Sequence, residues 1–159
     1  MTRYLEDTLT DMSPIVAQLS ALRPPLAEVA WVATLDPLPA LPMTLPAAFV
    51  AVAEKQTVAT PYAAGFDRLV HTLTFEVMVA LQESGPLGLQ AQRQSDHLRA
   101  QIMRCLAGFR HPAAASDTRP AGSTPPKLDD DQTLWWSEKF SFTAIDRAQR
   151  AGKRFVTAT

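Results

Sequence analysis

The sequence predicts an α+β fold: a mostly antiparallel β-sheet with two helices packed on one face, in the order α-β-β-β-α-β. Three observations predict it. Residues 71–81 alternate, with His71, Leu73, Phe75, Val77, Val79 and Leu81 on one side and a mixed set on the other. That is the pattern of a strand in a sheet covered on one face. Two other segments, near the N-terminus and beyond residue 88, carry apolar residues at helical spacing. A sheet with helices on one face is the simplest architecture that buries both helical stripes.

In the first helical segment Leu5, Leu9, Met12, Val16 and Leu19 form one apolar stripe. Ser13-Pro14 interrupts it. Proline suits the first turn of a helix, so either the helix kinks there or a second one starts with Ser13 as its cap. Arg23-Pro24-Pro25 ends the segment. Residues 29–35 are short, apolar and flanked by turn formers, which predicts a strand. Pro37, Pro39, Pro42 and Pro46 then exclude both helix and central strand, leaving an extended connection over the surface or an arm to a neighbour. Residues 47–54 read as a second strand. Residues 55–66 contain Pro61 and Gly65 and show no periodicity, so a mobile loop is expected to join this strand to the third.

Gly85-Pro86-Leu87-Gly88 closes the third strand. Beyond it Ala91, Leu98, Ile102, Cys105, Leu106 and Phe109 make a helical stripe, with Gln92, Arg93, Asp96, Arg99 and Arg104 facing elsewhere. Gly108 and Pro112 mark its end. Residues 110–126 lack core-forming side chains and predict a long flexible loop. In the last strand Leu134, Trp136, Phe140 and Phe142 share one face, opposite Trp135, Ser137, Lys139, Ser141 and Thr143. Glu138 breaks the apolar face, which a bulge or an interface partner would explain. Residues 1–147 are expected to form a single domain, and 148–159 a flexible basic tail.

Composition narrows the function. At 159 residues, 47% apolar and 19% charged, the chain suits one globular core. A net charge of −1 argues against a protein built to grip DNA phosphates. Cys105 alone forms no internal disulfide. The N-terminus carries carboxylates where a secretory signal would be apolar, and no apolar run approaches a bilayer span of about 20 residues. A soluble protein made in the cytoplasm is expected.

Catalytic patterns do not assemble. Consecutive helical residues point about 100° apart, so Ser95-Asp96-His97 does not converge into a relay. His71, His97 and His111 have no metal-ligand spacing, and His71 reads as a partly buried edge residue. Asp129-Asp130-Asp131 lacks the alternation and the glycine of a calcium loop and reads as a solvated turn. Ala151-Gly152-Lys153-Arg154 lacks the upstream glycine and the strand of a phosphate loop. No enzyme activity, metal or cofactor is expected.

Trp135 and Trp136 are adjacent in a strand and so point to opposite faces. One enters the core, and the other needs a helix, a partner chain or solvent. The run from Leu128 through Asp129-Asp130-Asp131 and Trp135-Trp136 to Glu138 and Phe140 resembles the last strand of phage tail terminator proteins. Leu45-Pro46-Ala47-Ala48-Phe49-Val50 resembles that family's Pro-Ala-aromatic-Val strand. The resemblance covers roughly residues 5–145.

It implies a structural virion protein at the head-proximal end of a tail. Such subunits close into a ring, a hexamer as a rule, that caps the tail tube, stops its polymerisation and presents a surface for head-neck proteins. The implied partners are other copies of the chain, the tail tube protein and head-neck connector proteins, with DNA only in transit and no membrane. Trp135, Trp136, Glu138 and Lys139 become candidate subunit or tube contacts. Arg147, Arg150, Lys153 and Arg154 become candidates for contact with a neighbour or DNA. The rival readings are a head-completion or neck connector protein and a small ligand-binding or enzymatic α+β domain.

Overall fold

The computed structural model describes residues 9–35, 44–63, 65–82, 89–129 and 132–149. Its elements are α1 (Ser13–Leu19) with a 3-10 turn (Ser20–Leu22), β1 (Glu28–Trp31), β2 (Ala47–Ala63), β3 (Phe66–Gln82), α2 (Leu89–Leu106), β4 (Arg119–Ser123), β5 (Lys127–Leu128) and β6 (Thr133–Gln149). The mixed α+β class and the mostly antiparallel sheet agree with expectation. Two short strands, β4 and β5, stand before the last long one. The strands lie in the order β1-β2-β3-β6-β4, with β5 also on β6. All pairings are antiparallel except β1 with β2, which is parallel.

β3 is the axis of the sheet. It pairs with β2 on one side from Phe66 to Ala80, and with β6 on the other along its whole length, from Phe66↔Gln149 to Gln82↔Thr133. Its core-facing residues Leu73, Phe75, Val77, Val79 and Leu81 are buried, as the alternation predicts. They meet Trp136, Phe140, Phe142 and Ala144 of β6, together with Ile15 and Leu19 of α1 and Leu98, Ile102 and Leu106 of α2. Phe75 stacks on Phe140 at 5.6 Å between centroids and lies 6.3 Å from Phe142.

α1 resolves the ambiguity at Ser13-Pro14. A helix starts at Ser13 with Pro14 in its first turn, but Ser13 is not the cap. The Asp11 carboxylate accepts the Ser13 N–H instead, at 3.0 Å. The buried stripe is Leu9, Met12, Ile15 and Leu19, with Val16 only half-buried against it. Leu5 lies outside the described residues. α2 ends where Gly108 adopts a positive φ of 84°, and its N–H donates to the Thr118 carbonyl at 2.9 Å. That conformation suits glycine and stops the helix.

Several boundaries differ from the sequence expectation. The first strand ends at Trp31 rather than residue 35. Residues 55–63 are not a mobile loop: β2 continues through Pro61 to Ala63, in register with β3. Thr57, Val58, Thr60 and Tyr62 favour extended backbone. Pro61 is tolerated because β2 has no outer strand there among the described residues, so no ladder bond is lost. β6 likewise runs through Asp146 and Arg147 to Gln149.

Residues 110–126 are not a free loop either. Ala115 and Ser116 donate to the Thr143 carbonyl, at 2.7 and 3.3 Å, and β4 pairs with β6 over Arg119↔Ser141 to Ser123↔Glu138. His111 pins this segment to the core. It is 2% exposed and stacks on Phe142 at 4.9 Å. Its Nδ1 accepts the Ala113 N–H at 3.1 Å, so Nε2 carries the proton and donates to the Asp11 carbonyl at 2.7 Å. His71 is fully buried rather than a partly buried edge residue, with Nδ1 2.9 Å from Thr57 Oγ1. It lies on the central strand, so neighbours cover both its sides. Pro37, Pro39 and Pro42, the Gly85-Pro86-Leu87-Gly88 turn and the tail beyond residue 149 lie outside the described residues.

Among the described residues the helices cover one end of the sheet. At the other end residues 53–63 of β2 are all exposed, and Phe66 and Ile145 are exposed beside them. Stability is therefore expected to be concentrated at the covered end. Phe75→Ala should cost about 3–5 kcal/mol, and Val58→Ala no more than about 0.5 kcal/mol. Urea unfolding of both variants checks this, and equal losses would contradict it.

Candidate functional site

β6 carries most of the candidate residues, and its pleat sorts them into two groups. Trp136 and Glu138 point toward the helices, each 1% exposed. Neither offers a surface to a partner, which corrects their candidacy as contacts. Trp135 and Lys139 lie on the opposite face, where Trp135 is half-buried and Lys139 exposed.

Glu138 owes its place neither to a bulge in β6 nor to another subunit. The β3–β6 register runs unbroken through Val77↔Glu138. The bulge lies in β4, between Pro120 and Gly122. Glu138's partner is Arg99 of α2, whose Nε stands 2.5 Å from Oε1. Arg99 does not face away from the sheet as expected. It also donates to the Thr124 carbonyl at 3.0 Å and lies 5.9 Å from the Trp136 ring centroid. One guanidinium thus ties α2 to β6 and to the strap between β4 and β5. The sequence held a signal for this pair: a carboxylate on an otherwise apolar face needs a cation in the layer above it. Arg99 follows Leu98 and precedes Ile102 by three, at the margin of the buried stripe.

The acidic turn is more than a solvated bend. Asp129 Oδ1 accepts the Thr133 N–H at 2.8 Å, and Oδ2 accepts the Trp135 Nε1–H at 2.7 Å. The polar edge of Trp135 is therefore satisfied within the subunit. Asp130 and Asp131 lie outside the described residues.

On the helix-free face, Lys139 stands opposite Glu76 in the β3–β6 register. Both border an open hollow of about 340 Å³, also lined by Thr34, Leu35 and Ala51. Farther along, Arg147 lies opposite Arg68. Its guanidinium sits 5.3 Å from the Tyr62 ring centroid, and Ile145 adjoins them in a second hollow of about 280 Å³. Tyr62 and Val58 were not legible as surface contacts because residues 55–66 read as loop, and without that strand nothing set Arg68 and Ile145 beside them. The other basic candidates, Arg150, Lys153 and Arg154, lie outside the described residues. Ser95, Asp96 and His97 do not converge: Ser95 is buried and bonds the Gln92 carbonyl at 2.7 Å, while the other two are exposed. Burial pushes the Cys105 thiol up, and it donates to the Gln18 carbonyl at 3.2 Å.

Burial raises the Glu138 carboxyl above its ordinary range, and the charge and hydrogen bond of Arg99 pull it back only in part. A carboxyl raised on folding contributes stability that is present below its unfolded value and lost as pH rises through the folded one. Arg99→Ala removes the opposing pull and leaves an unpaired buried charge. It should cost about 3 kcal/mol at neutral pH, and clearly less at acid pH, where the carboxyl takes up a proton. Urea unfolding at the two pH values tests this, and a loss independent of pH would refute it.

The family model described as phage tail terminator protein matches residues 5–150, nearly the whole chain. No curated protein matches. A chain of the solved structure "Virion of native gene transfer agent (GTA) particle" is similar over 89% of this chain and 92% of that one. Its identity is 12% and its TM-score 0.37, a likeness too distant to add to the reading. The matched family is one of structural virion proteins rather than enzymes, and the Trp-Trp strand, the long sheet and the helical layer fall within the matched span. The chain belongs to the phage tail terminator protein family.

Proposed function

We propose that this virion protein closes into a hexameric ring on the last ring of tail tube protein, stops tube polymerisation and presents the surface to which head-neck proteins attach. The match to the terminator family over residues 5–150 carries the reading. The uneven covering of the sheet supports it. Trp135, Lys139 and Arg147 lie on a face without helices, and Tyr62, Val58 and Ile145 are 43–61% exposed or only partly covered at its projecting end. Aromatic and arginine side chains on one exposed face are the types that carry binding energy at protein interfaces.

On this reading Trp135 and Lys139 contact a neighbouring subunit or the tube, and Arg147 contacts a neighbour. A ring repeats one heterologous contact until it closes. A near-neutral chain suits a conduit through which DNA passes without being held. The central step is binding, so the mechanism needs no reacting group, metal or cofactor.

Light scattering over a range of concentrations tests this. The expected result is a discrete hexamer-sized species, or a monomer that becomes one on tubes of the tail tube protein. Added to growing tubes, the protein should also halt their elongation. A species that stays monomeric and leaves tube length unchanged would overturn the reading.

A further inference from the structure

Two backbone edges of the projecting end are open among the described residues. No strand pairs with the outer side of β2 beyond Val50, because β1 stops at Trp31. The outer side of β6 is covered by β4 and by Ala115 and Ser116 only as far as Thr143. The projecting end is thus a three-stranded ribbon of β2, β3 and β6 with an uncovered edge on each side.

The two edges are level with each other. Across the ribbon Thr57 aligns with His71 and Ala144, and Val58 with Val70 and Ile145. Ala59 aligns with Leu69 and Asp146, and Thr60 with Arg68 and Arg147. β2 and β6 each run antiparallel to β3, so they run parallel to one another. Rotation about a ring axis keeps that direction. The β6 edge of one copy therefore meets the β2 edge of the next as a parallel pair.

The β2 edge is also unprotected. Residues 56–60 read Gln-Thr-Val-Ala-Thr, with no charge or proline. Irregularities between Val52 and Glu54 and between Pro61 and Ala63 bound this stretch on either side. Monomeric proteins blunt such an edge with charge, proline or a bulge, and here those devices flank an untouched window. Arg147 on the β6 edge would meet no like charge in it. Val58 and Ile145, 61% and 43% exposed, end the same cross-strand row.

We infer that adjacent subunits join by pairing residues 144–147 of β6 with residues 56–60 of the next copy's β2, so that the ribbons close into one continuous β-barrel. This rests on the ring reading above. A second copy is the occupant because it alone presents the complementary edge at the same height. Head-to-tail repetition then leaves no edge open.

The test uses Val58→Cys/Ile145→Cys, with Cys105→Ser to remove the native thiol, and a short bis-maleimide as cross-linker. The expected result is a covalent ladder on a denaturing gel that ends at the copy number of the ring. Either cysteine alone should stay monomeric on the same gel. Circular dichroism and light scattering confirm that the variants fold and assemble. Rings that assemble and cap tubes without a ladder would overturn this pairing and leave the proposed function standing. Covalent dimers from a single-cysteine variant would replace it with a two-fold contact. A protein that forms no ring with or without tubes would overturn both.

Discussion

The length mismatch between strands and helices governs this subunit. β3 has 17 residues, about 56 Å at 3.3 Å per residue. α2 has 18 residues but rises only 1.5 Å per residue, about 27 Å in all. A helical layer of that length covers roughly half of such a sheet. The covered half becomes the core, where Phe75, Phe140, Phe142 and Trp136 meet Ile102 and Leu106. The other half projects beyond it, held by backbone pairing on both sides of β3. Core and ribbon share the same three strands, so the ribbon is rigidly continuous with the core.

The covered half was legible in the sequence because burial on one side writes a period of two into a strand. Leu73 to Leu81 carry that signature, and so do the helical stripes through Leu19 and Ile102. Where both faces meet solvent no such pattern is imposed. Residues 55–63 therefore read as a loop although they form a ladder. Residues 110–126 were misread for a related reason: main-chain bonds to β6 and one histidine under Phe142 hold them, and neither leaves an apolar period. The partner of Glu138 was readable only in principle, since choosing Arg99 over other cations required knowing which helical turn lies above which strand.

The segment that carries the family resemblance turns out to be largely a folding element. Asp129 closes the turn into β6 and receives the Trp135 indole N–H. Trp136 is covered by the helical layer, and Glu138 fastens α2 through Arg99. Strand position and the family resemblance point to subunit contacts in this segment. The structure divides those residues by the pleat, and leaves Trp135 and Lys139 on the side that a neighbour could reach.

β6 is also the last of the described strands to leave the ribosome, and this gives the fold an order in time. β3 is made well before it, and one backbone edge of β3 stays unpaired until residues 133–149 arrive. Pairings so distant along the chain slow folding and prolong the exposure of apolar strand surface. The fold therefore acts as a completeness check. A chain cut before β6 lacks Trp136, Phe140 and Phe142 of the core and one of the three strands of the ribbon, so it does not become a subunit.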